Sequence, residues 1–186
     1  MNNLPKIVAI VGMPGAGKSI AADFFKKRGI PVLRFGDQTD IGLKELGKVR
    51  SPQNEQWYRQ KIREELGMAA MAIKMEPRIK KIYSEHPLII LDGLYSWEEY
   101  LYLRERFPQL KLLCVYAKSE TRHARLEKRT IRPLTKKQAQ DRDIHELEQT
   151  NKGGPIAMAD YIIINESTIE NFITHLETLH QEFSQP

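Results

Sequence analysis

Three glycines, a lysine and a serine stand at fixed intervals near the start of the chain, in the stretch Gly12-Met13-Pro14-Gly15-Ala16-Gly17-Lys18-Ser19. These residue types in a G-x-x-x-x-G-K-S pattern cradle phosphate. Gly12, Gly15 and Gly17 let the backbone turn tightly, and Pro14 and Ala16 complete a loop whose N–H groups approach phosphate oxygens. Lys18 is placed to reach the β- and γ-phosphates of a nucleoside triphosphate, and the Ser19 hydroxyl to ligate Mg²⁺. Two carboxylates join this set. Asp92, closing the apolar run Leu88-Ile89-Ile90-Leu91, suits a Walker-B-like role, holding Mg²⁺ directly or through water. The alternative for Asp92-Gly93 is a plain turn-forming pair. Asp37 follows a second apolar run, where a general base would face the cleft; its alternative is to cap the helix that follows.

The flanking elements position these groups. The run Lys6-Ile7-Val8-Ala9-Ile10-Val11 reads as a strand, and Ile20 to Lys27 as a helix that starts under the phosphates with its positive end aimed at them. Strand and helix patterns then alternate. Strands are expected at 30–35, 87–93, 110–116 and 161–165. Helices are expected at 38–46, 52–83 with a break near Pro77, 96–107, 119–130, 135–150 and 168–182, and Lys152-Gly153-Gly154-Pro155 reads as a loop. This order predicts an α/β, three-layer phosphate-loop fold: a five-stranded parallel sheet with helices on both faces. We expect one domain over residues 1–186, with a helical acceptor-binding segment at 36–84 and a lid at 129–154.

Composition excludes several classes. No apolar run approaches the ~20 residues that span a bilayer. Met1-Asn2-Asn3-Leu4-Pro5 lacks the regions of a signal peptide, and the one cysteine, Cys114, lies in an apolar run as a buried thiol. These features predict a cytoplasmic protein without membrane association. His175 and His180, five apart on the last helix, do not share a face and read as surface residues. Trp57 and Tyr58 read as packing residues, with stacking on an acceptor base as the alternative.

Charge is uneven. The chain carries +5, and residues 118–152 alone account for +4 of it. The polar segment 131–154 has too few large apolar residues for a core. It is either a solvated helical hairpin or a lid closing over phosphates. Arg125, Arg129, Arg132 and Arg142 favour the lid, because phosphoryl transfer needs cations on the moving group and exclusion of water. Nucleic-acid binding is disfavoured, since the basic segment lacks interleaved aromatics for base stacking.

At this point the chain resembles phosphate-loop kinases of the nucleoside monophosphate kinase type, with dephospho-CoA kinases as relatives. The likeness is to small adenylate-kinase-related proteins in particular. It rests on the phosphate loop and on Phe35-Gly36-Asp37, Ile62-Arg63-Glu64-Glu65-Leu66-Gly67, Leu91-Asp92-Gly93, Asp141-Arg142-Asp143 and Ile156-Ala157-Met158-Ala159-Asp160-Tyr161-Ile162-Ile163. The resemblance implies ATP and Mg²⁺ as cofactors. It makes Arg125, Arg129 and Arg132 donor-side or lid arginines, sets Arg142 on the transferred phosphate and puts Asn165 near the adenine. Two arginines that such relatives use to hold an acceptor phosphate are replaced here, by Asp40 and Tyr95, and Arg34, Arg50 and Arg63 are the candidates to substitute.

The reading is an ATP- and Mg²⁺-dependent kinase acting on a small nucleotide-like acceptor, with Lys18, Asp37, Arg129 and Arg142 in the transfer. A dephospho-CoA kinase-like transfer to a sugar hydroxyl and a regulatory NTPase without a small acceptor stay open beside it. A monomer or a homodimer fits either.

Overall fold

The computed structural model describes residues 5–185, so the expectation for Met1–Leu4 lies outside the described residues. In chain order the elements are β1 (Lys6–Val11), α1 (Lys18–Lys27), β2 (Val32–Arg34), α2 (Asp37–Glu45), α3 (Pro52–Leu66), α4 (Ala70–Ile82), β3 (Leu88–Asp92), α5 (Trp97–Arg106), β4 (Leu110–Tyr116), α6 (Ser119–Lys128), α7 (Lys136–Glu148), α8 (Gly153–Ala157), β5 (Tyr161–Ile164) and α9 (Ile169–Ser184). The strands form one five-stranded sheet in the order β2-β3-β1-β4-β5. Every pairing is parallel.

The β-branched β1 lies at the centre, with five of its six residues buried. Its register sets Ile10 beside Asp92 of β3 and Val11 beside Cys114 of β4, and Arg34 of β2 stands beside Asp92. The C-terminal edge of the sheet thus gathers the start of the phosphate loop, Asp92 and Arg34, where ligands of open parallel sheets bind. One face packs Ile7, Ala9, Leu91 and Leu112 against Met75 and Ile79 of α4 and Leu103 of α5. The other packs Val8, Ile10, Ile90 and Val115 against Phe24 and Phe25 of α1 and Phe172 and Leu176 of α9. Cys114 is a buried free thiol, as expected. None of the described helices is long and apolar enough to cross a membrane.

Several expectations need correction. The helical region from 52 breaks at Gly67 (φ +77°), and Pro77 lies inside α4. A proline costs a helix interior about 3 kcal/mol. The buried face of Ala70, Met71, Ala72, Met75 and Ile79 carries α4 through it. Residues 153–157 form the short helix α8 rather than a loop. The second strand is only three residues long. His175 is exposed, but His180 is half-buried against the rings of Phe24 and Phe25, and that burial lowers its pKa. Tyr58 packs: it is buried where α3 crosses α2, and a Cβ on Gly42 would run into its ring. Trp57 stays 41% exposed beneath the Lys48 ammonium.

Candidate active site

The phosphate loop joins β1 to α1, and α1 opens at Gly17 (φ +114°) with no side-chain cap and no acidic residue in its first turn. A helix N-terminus without a side-chain partner offers its N–H groups to an anion. The glycines are held by close approach. A Cβ on Gly17 would strike the Asn165 amide, and one on Gly15 would meet the Arg122 carbonyl at 2.6 Å. Lys18 folds back over the loop and donates to the carbonyls of Gly12 (2.8 Å) and Met13 (3.0 Å). Burial lowers its pKa to about 8; Asp92 opposes the shift, while Arg142 and Arg122 add to it.

Asp92 is the counter-charge. Burial raises its pKa, against the pull of Arg34 and Lys18, and Arg34 Nε lies 3.4 Å from its carboxylate. Among the described residues there is no group of three or more His, Cys, Asp or Glu able to hold a metal alone. Ser19, exposed in the first turn of α1, and Asp92 nevertheless fit Mg²⁺, which takes one or two protein oxygens and completes its shell with water and phosphate.

Beside the loop lies a cleft of about 560 Å³, lined by Gly15, Gly17, Lys18 and Ser19, by Arg125 and Arg129 of α6, and by Asn165 and Ile169. Asn165 donates from its amide to the Ala16 carbonyl (2.8 Å), and its own carbonyl accepts from Arg125 Nη2 (2.9 Å). Arg125 Nη1 is buried without a partner. Asn165 therefore braces the phosphate loop as well as lining the cleft.

The arginines expected in a lid point different ways. Arg129 Nε donates to the Arg132 carbonyl, and burial together with Arg142 and Arg132 lowers its pKa. The Arg132 side chain reaches away, to within 3.8 Å of Glu55 on α3. Arg142, on α7, pairs with Glu146 at 3.2 Å, and its charge adds to the lowering of the Lys18 pKa. Asp37 is the first residue inside α2; Gly36 is its N-cap and makes no side-chain cap bond, so the capping alternative for Asp37 falls. Its carboxylate pairs with Arg78 at 3.5 Å.

A second cleft, of about 620 Å³, separates α3 from α7 and is lined by Arg59, Arg63, Glu64, His145 and the amides of Gln56, Gln60 and Gln149. Of the three candidate substitutes, Arg63 faces this cleft. Arg34 pairs with Asp92, and Arg50 is turned to Asp40 (3.2 Å) and Glu55 (2.9 Å).

A family profile described as an AAA domain matches residues 8–165. A UPF0200 protein of Pyrococcus abyssi is 34% identical over 177 residues, covering 93% of this chain and 94% of that one. The chain belongs to the UPF0200 family. Among solved structures, TT1252 from Thermus thermophilus is similar with a TM-score of 0.68 and 18% identity, covering 98% of this chain and 100% of that one. A shikimate kinase from Bacteroides thetaiotaomicron is similar with a TM-score of 0.58 and 17% identity, covering 95% and 98%. At such identities the likeness speaks for the fold, which is that of a phosphate-loop kinase.

In this UPF0200 protein the structure adds residues that sequence reasoning missed. Arg122, 6% exposed, donates to the Ala117 carbonyl (3.1 Å), to the Pro14 carbonyl (3.0 Å) and to both oxygens of Asp143. His123 adds a third bond to Asp143, at 2.9 Å. Burial pushes the Asp143 carboxyl up, but these hydrogen bonds outweigh it and leave the pKa lowered. Lys152 is 2% exposed and bonds Glu146. Tyr95 lies under it, its hydroxyl pushed up to about 12 by burial. In the sequence, Arg122 was one cation among ten in a charged run, and Lys152 stood in an apparent loop. Only their tertiary partners set them apart.

Proposed function

We propose that this UPF0200 protein is an ATP- and Mg²⁺-dependent phosphotransferase acting on a small, anionic, nucleotide-like acceptor. One observation carries the reading: Lys18, Ser19, Arg125 and Arg129 line one cleft beside the phosphate loop, and the strand that leads into that loop sets Ile10 beside the Asp92 carboxylate at the sheet edge. A polyphosphate binds well where cations are gathered before it arrives, because no reorganisation is then needed during transfer. Lys18 holds the β- and γ-phosphates. Ser19 and Asp92 hold Mg²⁺, which neutralises charge on the transferring group. Arg129 and Arg142 balance the negative charge on the equatorial oxygens. Arg125, with its free nitrogen, and Asn165 serve the nucleoside side of the cleft.

The acceptor reading is supported by the cleft between α3 and α7. Arg59 and Arg63 offer it two positive charges against the one negative charge of Glu64, and the glutamines offer amides, a set suited to a phosphate-bearing, hydrogen-bonding ligand. An oxygen of the acceptor phosphate attacks the γ-phosphorus in line, the bond to the β-phosphate oxygen breaks, and ADP leaves. Such a nucleophile is already anionic and needs no base. A second reading, transfer to a sugar hydroxyl, is favoured by Asp37. Its half-exposed carboxylate is free of a capping duty and available as a base once Arg78 releases it.

A mass-spectrometric screen tests this, with Mg²⁺-ATP, ribo- and deoxynucleoside monophosphates and dephospho-CoA. A nucleoside diphosphate supports the first reading, and CoA the second. ADP release that no acceptor accelerates would replace both with a nucleotide-driven regulatory protein.

A further inference from the structure

Lys152 is an unusual residue to find buried. A lysine is rarely removed from water unless it is paired. Here it stands just ahead of α8 at 2% exposure, with its ammonium bonded to Glu146 of α7 and 4.8 Å from the centre of the Tyr95 ring. Its backbone N–H donates to the Glu146 carbonyl at 3.2 Å. The Glu146 carboxylate is shared: one oxygen takes Lys152 and the other takes Arg142 Nε at 3.2 Å. Arg142 is one helical turn before Glu146, with a side chain 45% exposed against 13% for the glutamate. A half-exposed arginine on a helix surface has many rotamers, and ordering it costs conformational entropy. Glu146 can restrict Arg142 because Glu146 is itself pinned from the buried side.

The charges around Lys152 show that this pin works against resistance. Burial pushes its pKa down to about 6; Lys18 and Arg142 add to the push, and Glu99 and Asp143 oppose it. A buried ion pair beside two further cations is a poor way to gain stability, since desolvation offsets most of the attraction. Its geometric effect is clear, however: the Glu146 carboxylate that meets Arg142 on α7 is fixed from the buried side.

We propose that Lys152 is a positioning residue that, seated on the Tyr95 ring, pins Glu146 and thereby aims Arg142 at the terminal phosphate of the nucleotide held by the phosphate loop. The proposal rests on the phosphotransfer reading for the identity of that nucleotide.

The test is a double-mutant cycle read by calorimetry with Mg²⁺ and two ligands, ADP and a non-hydrolysable ATP analogue. Lys152→Met should weaken the ATP analogue about tenfold, or ~1.4 kcal/mol, and leave ADP within about twofold. Arg142→Ala should do the same. In the double variant the two losses should not add, because both remove one contact. Glu146→Gln, which keeps the volume, should reproduce the selective loss and is the second probe if Lys152→Met does not fold. Equal weakening of both ligands, full additivity with Arg142→Ala, or an unchanged ratio in Glu146→Gln would overturn the proposal. The phosphotransfer screen reports separately. A protein that shows the cycle but transfers no phosphate removes the kinase reading and keeps the aim of Arg142. A parent that binds neither ligand removes both.

Discussion

The Arg122 guanidinium bonds both oxygens of Asp143, at 2.8 and 2.7 Å, while Nη1 also donates to the Pro14 carbonyl at 3.0 Å. One buried side chain on α6 thus ties the phosphate loop to α7. The tie explains how a polar segment with little core of its own keeps a fixed place. Its only buried hydrophobic residue on α7 is Ala139, so charge has to supply what apolar packing does not.

The first prediction follows from that tie. Asp143→Asn keeps the volume but leaves Arg122 and His123 facing a neutral amide. Breaking one side of a buried pair costs about 3 kcal/mol, and urea denaturation at pH 7 should show a loss of that order. The sign with pH is fixed by the lowered pKa of Asp143. The parent has this stabilisation above the unfolded carboxyl value of roughly 3.9 and loses it as pH falls through the folded value. The variant should therefore differ most from the parent at neutral pH and converge with it in acid.

Lys18→Ala is expected to abolish phosphate transfer and spare the fold. The Lys18 ammonium hydrogen-bonds two loop carbonyls, at 2.8 and 3.0 Å, and its side chain is part of neither hydrophobic core cluster. Melting within a few degrees of the parent, together with a loss of turnover of about 10³-fold, is the expected pair of results for removing a preorganised phosphate contact. Transfer at the parental rate would remove Lys18 from the mechanism.

The frame of this site was legible in the chain because its signals are local. An apolar strand, a glycine loop with Lys18 and Ser19, and the Ser96 and Thr135 helix starts all depend on near neighbours, and both starts close capping boxes, with Glu99 and Gln138. What stayed hidden was tertiary. Nothing in the sequence around Arg122 indicates that its partner is Asp143, twenty-one residues on. Pro77 reads as a helix break by its own chemistry, yet the buried face of α4 overrides it, while Gly67 makes the break that occurs. The arginines expected in the lid looked like one set; the fold pairs Arg142 with Glu146 and turns Arg132 toward Glu55.

Asp92→Asn should separate metal from nucleotide. The carboxylate lies beside Arg34 and within the influence of Lys18, and it is 13% exposed. Replacing it with an amide removes a hard anionic ligand, so transfer should need much higher Mg²⁺, while binding of ATP without metal should be unchanged or tighter because a negative charge has left the site. Titrating Mg²⁺ at fixed ATP measures this. An unchanged Mg²⁺ requirement would assign Asp92 to the turn alone.

Glu99 provides a prediction on pH that is independent of the reaction. It closes the capping box of α5, accepting from the N–H groups of Tyr95 (2.7 Å) and Ser96 (3.2 Å), and burial pushes its carboxyl up to about 7. For an acid with a raised pKa, the folded state holds its proton longer than the unfolded one. Its contribution to stability is then largest below the unfolded value of roughly 4.3 and falls as pH rises toward 7, by on the order of 3 kcal/mol for a shift of this size. Gln at this position keeps the capping geometry and does not titrate. Glu99→Gln should therefore gain on the parent between pH 5 and pH 8, read as a rising difference in urea midpoint. A constant difference across that range would mean that Glu99 ionises normally in the folded protein. In that case the cap and the neighbouring Lys152 would offset the burial in full.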